Sequence, residues 1–346
     1  MTTTKAAAHQ PLGQRPLLSL PAAHKGVCHI VRYDANGRYL LSGGADRTIK
    51  LWNAAASPQP SSSSAAQPIK VYQGAHSHEI LALDITRDNA RFASGGPDKA
   101  VMLWDVPTST VLRRFSAHQG AINDVRFAGP SNDGAQAQVL CTAGFDGVLR
   151  FYDLRAQGAW RPILEAKDAR DAIQTICLGG QDGASVWTGS VDGVVRQYDL
   201  RKGTLTQDTV DEPVVSLSLS SGATGAQLLL VSTSDSTHRL LDVADGSLLQ
   251  SFTGHKNEAY RCHSTLSSPI EDQVVAGDED GKLRTWDLVT GKQSQALDVA
   301  AGAETTIPPR SARSRAVLWT ECNPRKEGPL QIVTGGADGA VHVWSA

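Results

Sequence analysis

The sequence predicts an all-β fold, a seven-bladed β-propeller whose ring is closed by an N-terminal strand. Three observations carry that prediction. An aspartate is followed six positions later by a large aromatic or aliphatic residue seven times: Asp46 and Trp52, Asp98 and Trp104, Asp146 and Tyr152, Asp192 and Tyr198, Asp235 and Leu241, Asp280 and Trp286, Asp338 and Trp344. Successive aspartates lie 52, 48, 46, 43, 45 and 58 residues apart, close to the roughly 40–45 residues of a four-stranded blade. The last unit stops one strand short at Ala346, and the apolar run Pro16 to Leu20 stands ready to supply the missing strand.

Each unit reads as four short strands. In the second, a turn at Ala75-His76 leads into the alternating Ile80, Ala82, Leu83 and Ile85, then Arg91 to Ser94. The tight turn Pro97-Asp98-Lys99 follows, then Ala100 to Trp104 and an outer strand, Val111 to Phe115. One such sheet cannot bury both faces, so its stability has to come from neighbouring blades in a closed ring. Pairing Pro16–Leu20 with the last blade would also remove an exposed edge. Three segments fall outside the repeat: a polar tail over residues 1–15, expected to be disordered, the low-complexity insertion 57–68 (SPQPSSSSAAQP) in the first blade, and a loop over 301–315. The propeller itself is expected to occupy residues 16–346.

Composition excludes several function classes. The 346 residues carry 33 basic and 35 acidic side chains, a net charge of −2, which leaves no electrostatic footprint for nucleic acid or an acidic membrane. No stretch approaches the roughly 18 apolar residues of a membrane span, and Met1 to Arg15 lacks the apolar centre of a signal peptide. A chain that stays inside the cell is expected, with its five scattered cysteines reduced and serving as small hydrophobes. The paired glycines (Gly43-Gly44, Gly95-Gly96, Gly335-Gly336) open no helix and miss the phosphate-loop pattern. They fit close backbone approach before a turn. No metal, cofactor or catalytic constellation emerges. Arg310, Arg313 and Arg315 form one local basic cluster, best read as a solvated loop, and the leucines of Arg15 to Leu20, which resemble a kinase docking peptide, are better spent closing the ring.

Several units place His, Ser or Thr, Asp and Trp in fixed order: His24, Ser42, Asp46, Trp52, then His76, Ser94, Asp98, Trp104. A third set is His118, Thr142, Asp146 and Tyr152. A hydrolase would have such a triad once, whereas repetition points to a structural chain from indole to hydroxyl to imidazole to carboxylate. Thr188 with Asp192 and Tyr198, and Thr334 with Asp338 and Trp344, keep parts of it. Asp235 stands with Leu241, and His255 with Asp280 and Trp286 lacks the hydroxyl, Ala276 standing in its place. Units four and five lack the histidine.

Some stretches go beyond the generic repeat: Gly189-Ser190-Val191-Asp192-Gly193 through Arg201, Ala169-Arg170-Asp171, Ser234 to Thr237 with Arg239 to Asp242, and Gly254 to Glu258 with Tyr260. On these the chain resembles the WD-repeat family of mitogen-activated protein kinase organizers, the WD repeat-containing protein 83 family, from about Gly26 to Trp344. The resemblance implies a non-enzymatic adaptor with two associations, a MAP kinase cascade and catalytic-stage spliceosomes, and hence access to nucleus and cytoplasm. The insertion at 57–68 and the arginine-bearing loop depart from the family pattern.

A partner is expected on the face that carries the His and Asp turns, where loops contribute little to the ring's packing. The candidates are Phe145 and Glu279 before turn aspartates, and His78, Glu79, Arg170, Asp171, Lys256, Asn257 and Tyr260 where first strands begin. Competing functions are the substrate-receptor propeller of a cullin ubiquitin ligase, for which no adaptor motif is evident, and an enzyme. An enzyme would need one unrepeated cluster of titratable residues in the central channel, and none is visible in the sequence. A monomer within larger complexes is expected, since a closed ring needs no second chain.

Overall fold

In the computed structural model, which describes residues 11–55, 67–129, 138–155, 158, 160–179, 184–220, 227–268, 271–299, 315–325 and 328–346, the chain forms seven four-stranded antiparallel sheets. The first blade shows the pattern. Its strands Cys28–Tyr33, Tyr39–Gly44, Ile49–Asn53 and Lys70–Tyr72 pair in chain order. The innermost strands of the seven blades, which line the channel, are Cys28–Tyr33, Ala82–Ile85, Ile122–Ala128, Ile173–Gly179, Val214–Leu219, Ser264–Leu266 and Val317–Cys322. Strand three faces neighbouring blades on both sides and is buried almost throughout, as in Val101–Asp105. Outer strands are wet, and Thr204–Thr209 is exposed along its whole length. Core packing runs through the seams between blades: Phe92 stacks on Trp104 at 5.5 Å, and Tyr72 of the first blade meets Phe92 of the second edge-on at 4.8 Å.

The expected closure is present. Leu18–Leu20 pairs antiparallel with Val341–Ser345, Leu18 opposite Val343 and Leu20 opposite Val341, and both leucines are buried. The anchor begins earlier than Pro16. Gly13 N–H donates to the Ser345 carbonyl at 2.8 Å, and Leu12 is buried against Val275, Leu283 and Trp344. The Gln295 side-chain amide from blade six bonds the Leu12 amide and carbonyl, each at 2.9 Å. Residues 11–15, placed in the expected tail, are thus held across blades six and seven, while 1–10 lie outside the described residues. Positions 57–66 of the insertion and 301–314 of the later loop, with Arg310 and Arg313, lie outside them too. All five cysteines are unpaired, four of them buried, and burial pushes the Cys28, Cys141 and Cys262 thiols well above their usual range.

Candidate functional site

Blades one to three build the hydrogen-bonded chain that the sequence suggests. In the first, the Trp52 indole donates to Ser42 Oγ at 2.8 Å, Ser42 Oγ lies 2.8 Å from His24 Nε2, and His24 Nδ1 lies 2.9 Å from Asp46. The second repeats it, with Trp104 to Ser94 at 2.8 Å, Ser94 to His76 at 2.7 Å and His76 to Asp98 at 2.7 Å. In the third, His118 bridges Thr142 at 2.8 Å and Asp146 at 3.0 Å, while Tyr152 packs on Phe115 at 4.5 Å. Donor order assigns the tautomer: indole N–H to hydroxyl, hydroxyl to Nε2, Nδ1–H to carboxylate. A catalytic triad has the same connectivity, but here the hydroxyls of Ser42, Ser94 and Thr142 belong to fully buried residues, and in the first two blades the indole already holds the oxygen. Buried oxygens committed in this way cannot attack a substrate.

The turn carboxylates of these three blades are correspondingly acidic. Burial opposes their charge, yet hydrogen bonds from Thr48 and His24 bring Asp46 down to about 2, and His76 holds Asp98 below the usual carboxylate range. Asp98→Ala should leave the buried imidazole donor of His76 unpaired and cost about 1–3 kcal/mol. In urea the unfolding midpoint should fall with an unchanged m-value. Asp280→Ala should stay within about 0.5 kcal/mol of the parent.

That contrast follows from a correction. Asp280 occupies the turn position, but the residue is exposed. The blade-six charge that is buried is Asp278, which accepts the Arg284 guanidinium at 2.7 Å and the Lys282 amide at 2.8 Å. Trp286 donates to the Thr253 carbonyl at 3.0 Å, and neither ring nitrogen of His255 has a hydrogen-bond partner. Instead His255 stacks on His238 of blade five at 3.9 Å. Blade seven keeps the Trp344-to-Thr334 bond at 3.1 Å, with Asp338 accepting its own turn's Ala340 amide at 3.0 Å.

Blades four and five replace the histidine by an arginine four residues after the aspartate, a signal the sequence offered and the His-centred pattern passed over. Arg196 meets Asp192 at 2.8 Å with Ser190 Oγ completing the set, and Arg239 meets Asp235 at 2.7 Å with Thr233 at 2.6 Å from the same carboxylate. Thr188 and Tyr198, expected in the chain, are buried but make no bond to Asp192, and Leu241 simply packs in the seam.

On the face of these turns, the nine partner candidates separate. Phe145 is 67% exposed, and His78, Arg170, Asp171 and Lys256 are exposed. Gly147, in the same turn as Phe145, lies against the backbone of Ala169 and Asp171, so Phe145, Arg170 and Asp171 form one patch at the boundary of blades three and four. Glu79 pairs with His29 at 3.0 Å. Tyr260 packs partly on Cys262, Ala316 and Leu318. Two candidates are structural. Asn257 is fully buried, its amide donating to Ser236 at 2.8 Å. Glu279 turns back to accept the amides of Glu258, Ala259 and Tyr260 at 2.7, 2.5 and 2.9 Å, taking over the loop capping done elsewhere by the turn aspartate. At the position before the turn aspartate, the other blades carry Ala45, Pro97, Val191, Ser234 and Ala337. Phe145 is the only aromatic there.

The channel holds what the sequence concealed. Strand register places one residue of each innermost strand opposite the position just before the hydroxyl: Arg32, Asp84, Arg126, Cys177, Ser218, Thr265 and Glu321. These form one level of the channel wall and line a cavity of about 1240 Å³. Arg32 bonds Asp84 at 2.9 Å and Glu321 at 3.3 Å, and Asp84 also accepts the Phe127 amide at 2.8 Å. Arg126 pairs with Asp124 at 3.2 Å and donates to the Ile176 carbonyl at 3.1 Å. Burial raises Glu321 above the usual carboxylate range against the pull of Arg32 and Arg126, and burial lowers His263 to about 3. Arg261 reaches from blade six to the Gln174 and Asn123 carbonyls at 3.0 and 3.1 Å, a strut across the channel. A charged cluster that the sequence did not show is therefore present, Arg32, Asp84, Arg126 and Glu321 on four of the seven blades. Among the described residues no cluster of metal-ligating side chains is found, and no helix is long and apolar enough to cross a membrane.

The profile of the WD domain, G-beta repeat family matches residues 14–53, 66–105, 109–153 and 246–287. Similar proteins include a WD repeat domain-containing protein 83 homolog of Dictyostelium discoideum, 27% identical over 93% of this chain and 95% of that protein. WD repeat domain-containing protein 83 of Rattus norvegicus is 36% identical over 82% of each chain, and that of Homo sapiens is 36% identical over 86% of each.

Proposed function

The chain belongs to the family of WD repeat domain-containing protein 83, and from that premise we propose that it is a non-catalytic scaffold joining proteins of pre-mRNA splicing complexes and of a MAP kinase cascade, at work in nucleus and cytoplasm. The observation that carries partner binding is Phe145, two-thirds exposed beside Arg170 and Asp171, where other blades place small or inward-turned residues. An exposed aromatic flanked by charges has the make-up of an interface hot spot, and it contributes little to the ring's own packing. The buried, committed hydroxyls of the His-Ser-Asp chains favour a scaffold over a hydrolase, and the net charge of −2 favours protein partners over nucleic acid.

The test is affinity purification of the tagged chain from nuclear and cytoplasmic extracts after nuclease treatment, with mass spectrometry. Nuclease-resistant recovery of late spliceosome proteins supports the splicing role, and recovery of MAP kinase components supports the signalling role. Phe145→Asp should reduce recovery of the partner at least tenfold while the melting temperature stays within about 2 °C, a surface change without folded-state cost. Undiminished recovery would move the interface elsewhere.

A further inference from the structure

The outer strand is where a blade meets solvent, and there blade four differs from the other six. In those blades the outer-strand residue opposite the third position after the turn aspartate is apolar: Tyr72, Phe115, Ala166, Phe252, Leu297 and, from the closing strand, Leu20. All but Ala166 are buried. In blade four that residue is Asp208, opposite Val195, and Thr204–Thr209 has no buried side chain at all. Its backbone ladder is what holds it to the blade.

An exposed edge is normally kept short or broken, because its unpaired N–H and C=O groups recruit another strand. Blades one, three and seven end on strands of three residues, Lys70–Tyr72, Leu164–Ala166 and Leu18–Leu20. Blades two, five and six interrupt the pairing of the outer strand with a register shift, at Leu103/Trp104, Leu240/Leu241 and Thr285/Trp286. Among the described residues only blade four carries six outer residues in unbroken register, from Asp199 opposite Thr204 to Val194 opposite Thr209. No lysine, arginine or proline guards them.

The register also tells which backbone groups face outward. Val210 N–H donates to the Gly193 carbonyl at 2.9 Å, in line with the ladder. With a period of two, Thr204, Thr206 and Asp208 bond inward, and the N–H and C=O groups of Leu205, Gln207 and Thr209 point away from the blade. The turns at the two ends of the strand differ in charge. Arg201 and Lys202 precede it, Asp211 and Glu212 follow it, and all four are exposed. A parallel copy would set like charges together, whereas an antiparallel copy sets each basic turn against an acidic one. When Leu205 of one chain stands opposite Gln207 of the other, Thr204 meets Asp208, Arg201 meets Asp211, and Thr206 faces its own counterpart on the two-fold axis.

We propose that Thr204–Thr209 is a self-association edge, along which two copies of the chain pair antiparallel and join two four-stranded blades into one continuous sheet. The closed ring needs no second chain for its own stability. What the pairing adds is a second ladder to a strand that no side chain anchors. The edge belongs to blade four and is independent of the Phe145 patch.

The test is sedimentation equilibrium of the full chain from about 1 to about 500 µM, a range suited to the weak association expected of a small interface. The average mass should rise from the 36.7 kDa of one chain toward twice that value, and hydrogen exchange of the Leu205 and Gln207 amides should slow at least twofold. Thr206→Lys and Thr206→Glu each put two like charges face to face and should weaken association at least tenfold. An equimolar mixture of the two should regain it. Gln207→Pro removes an N–H that the blade itself does not use, and should weaken pairing as much in a chain that still melts cooperatively. The proposal is overturned if the parent keeps the mass of one chain throughout, if any of the three variants alone associates like the parent, or if the two Thr206 variants stay single when mixed.

Discussion

Deleting residues 1–20 is expected to abolish the closed native ring. The deletion removes Leu12, Leu18 and Leu20, each less than 5% exposed, and the three-residue pairing with Val341–Ser345. Burial of each leucine is worth about 1.5–3 kcal/mol, so the loss rivals the whole stability of a typical domain, about 5–15 kcal/mol. It also bares an edge strand rich in valine and tryptophan, which invites pairing between chains. Size-exclusion chromatography should show aggregate or larger species in place of the full chain's elution peak, and a synthetic peptide spanning residues 11–20 should restore part of that peak. A truncated chain that elutes like the parent and keeps its melting temperature would mean that closure does not depend on this strand.

The second large effect is on pH. Burial pushes His255 and His342 down to about 4 and His263 to about 3, and it holds His238 well below the usual value, with the His255 ring against it. These imidazoles stay neutral in the folded chain, while in the unfolded chain they take up protons below about pH 6.5. Folded values lie below unfolded ones, so stability is full above about pH 6.5 and falls as pH drops towards 4. Each histidine contributes a slope of about 1.4 kcal/mol per pH unit in that window. At pH 5 the four together remove several kcal/mol, ahead of any loss from the turn aspartates. Asp46 and Asp192, both near 2, stay ionised in the folded chain down to about that pH, and the stability they lend begins to fall only below about pH 4, where unfolded carboxylates take up protons. The urea midpoint should drop steeply between pH 6.5 and 5. His255→Phe, which keeps a ring against His238 and Trp286, should flatten that slope by at most about a quarter, since burial lowers His24 and His29 as well. A midpoint that holds level across the interval would show that these rings reach water.

The blade count, the closing strand and the His-centred chains of the first two blades were legible because each rests on local spacing, and seven repetitions make the spacing plain. Asp280 misled because its six-residue distance to Trp286 matches the other units, and its backbone makes the same turn, Gly281 taking a φ of 85°. What differs is two residues earlier, where Asp278 fills a position that is glycine in four blades. Asn257 sits at a loop entry that is exposed elsewhere, and its bonds to Ser236 and to the Thr233 carbonyl draw it inward. The channel charges could not be found by spacing. Arg32, Asp84, Arg126 and Glu321 each look like an ordinary polar residue on an alternating strand, and only the register of four separate sheets brings them to one level.

A β-carbon on Gly44 would lie 2.6 Å from the His24 ring, and the matching position holds Ser190 in blade four and Thr233 in blade five, where arginine replaces the histidine. Imidazole and side chain compete for one small volume. Blade six holds both, with Asp278 at the matching position and His255 still in place, and there the imidazole has given up its hydrogen bonds and lies on His238. Passing from one lock to the other therefore runs through a state like blade six, in which a buried imidazole is left without a partner and the ring must find its contacts by stacking.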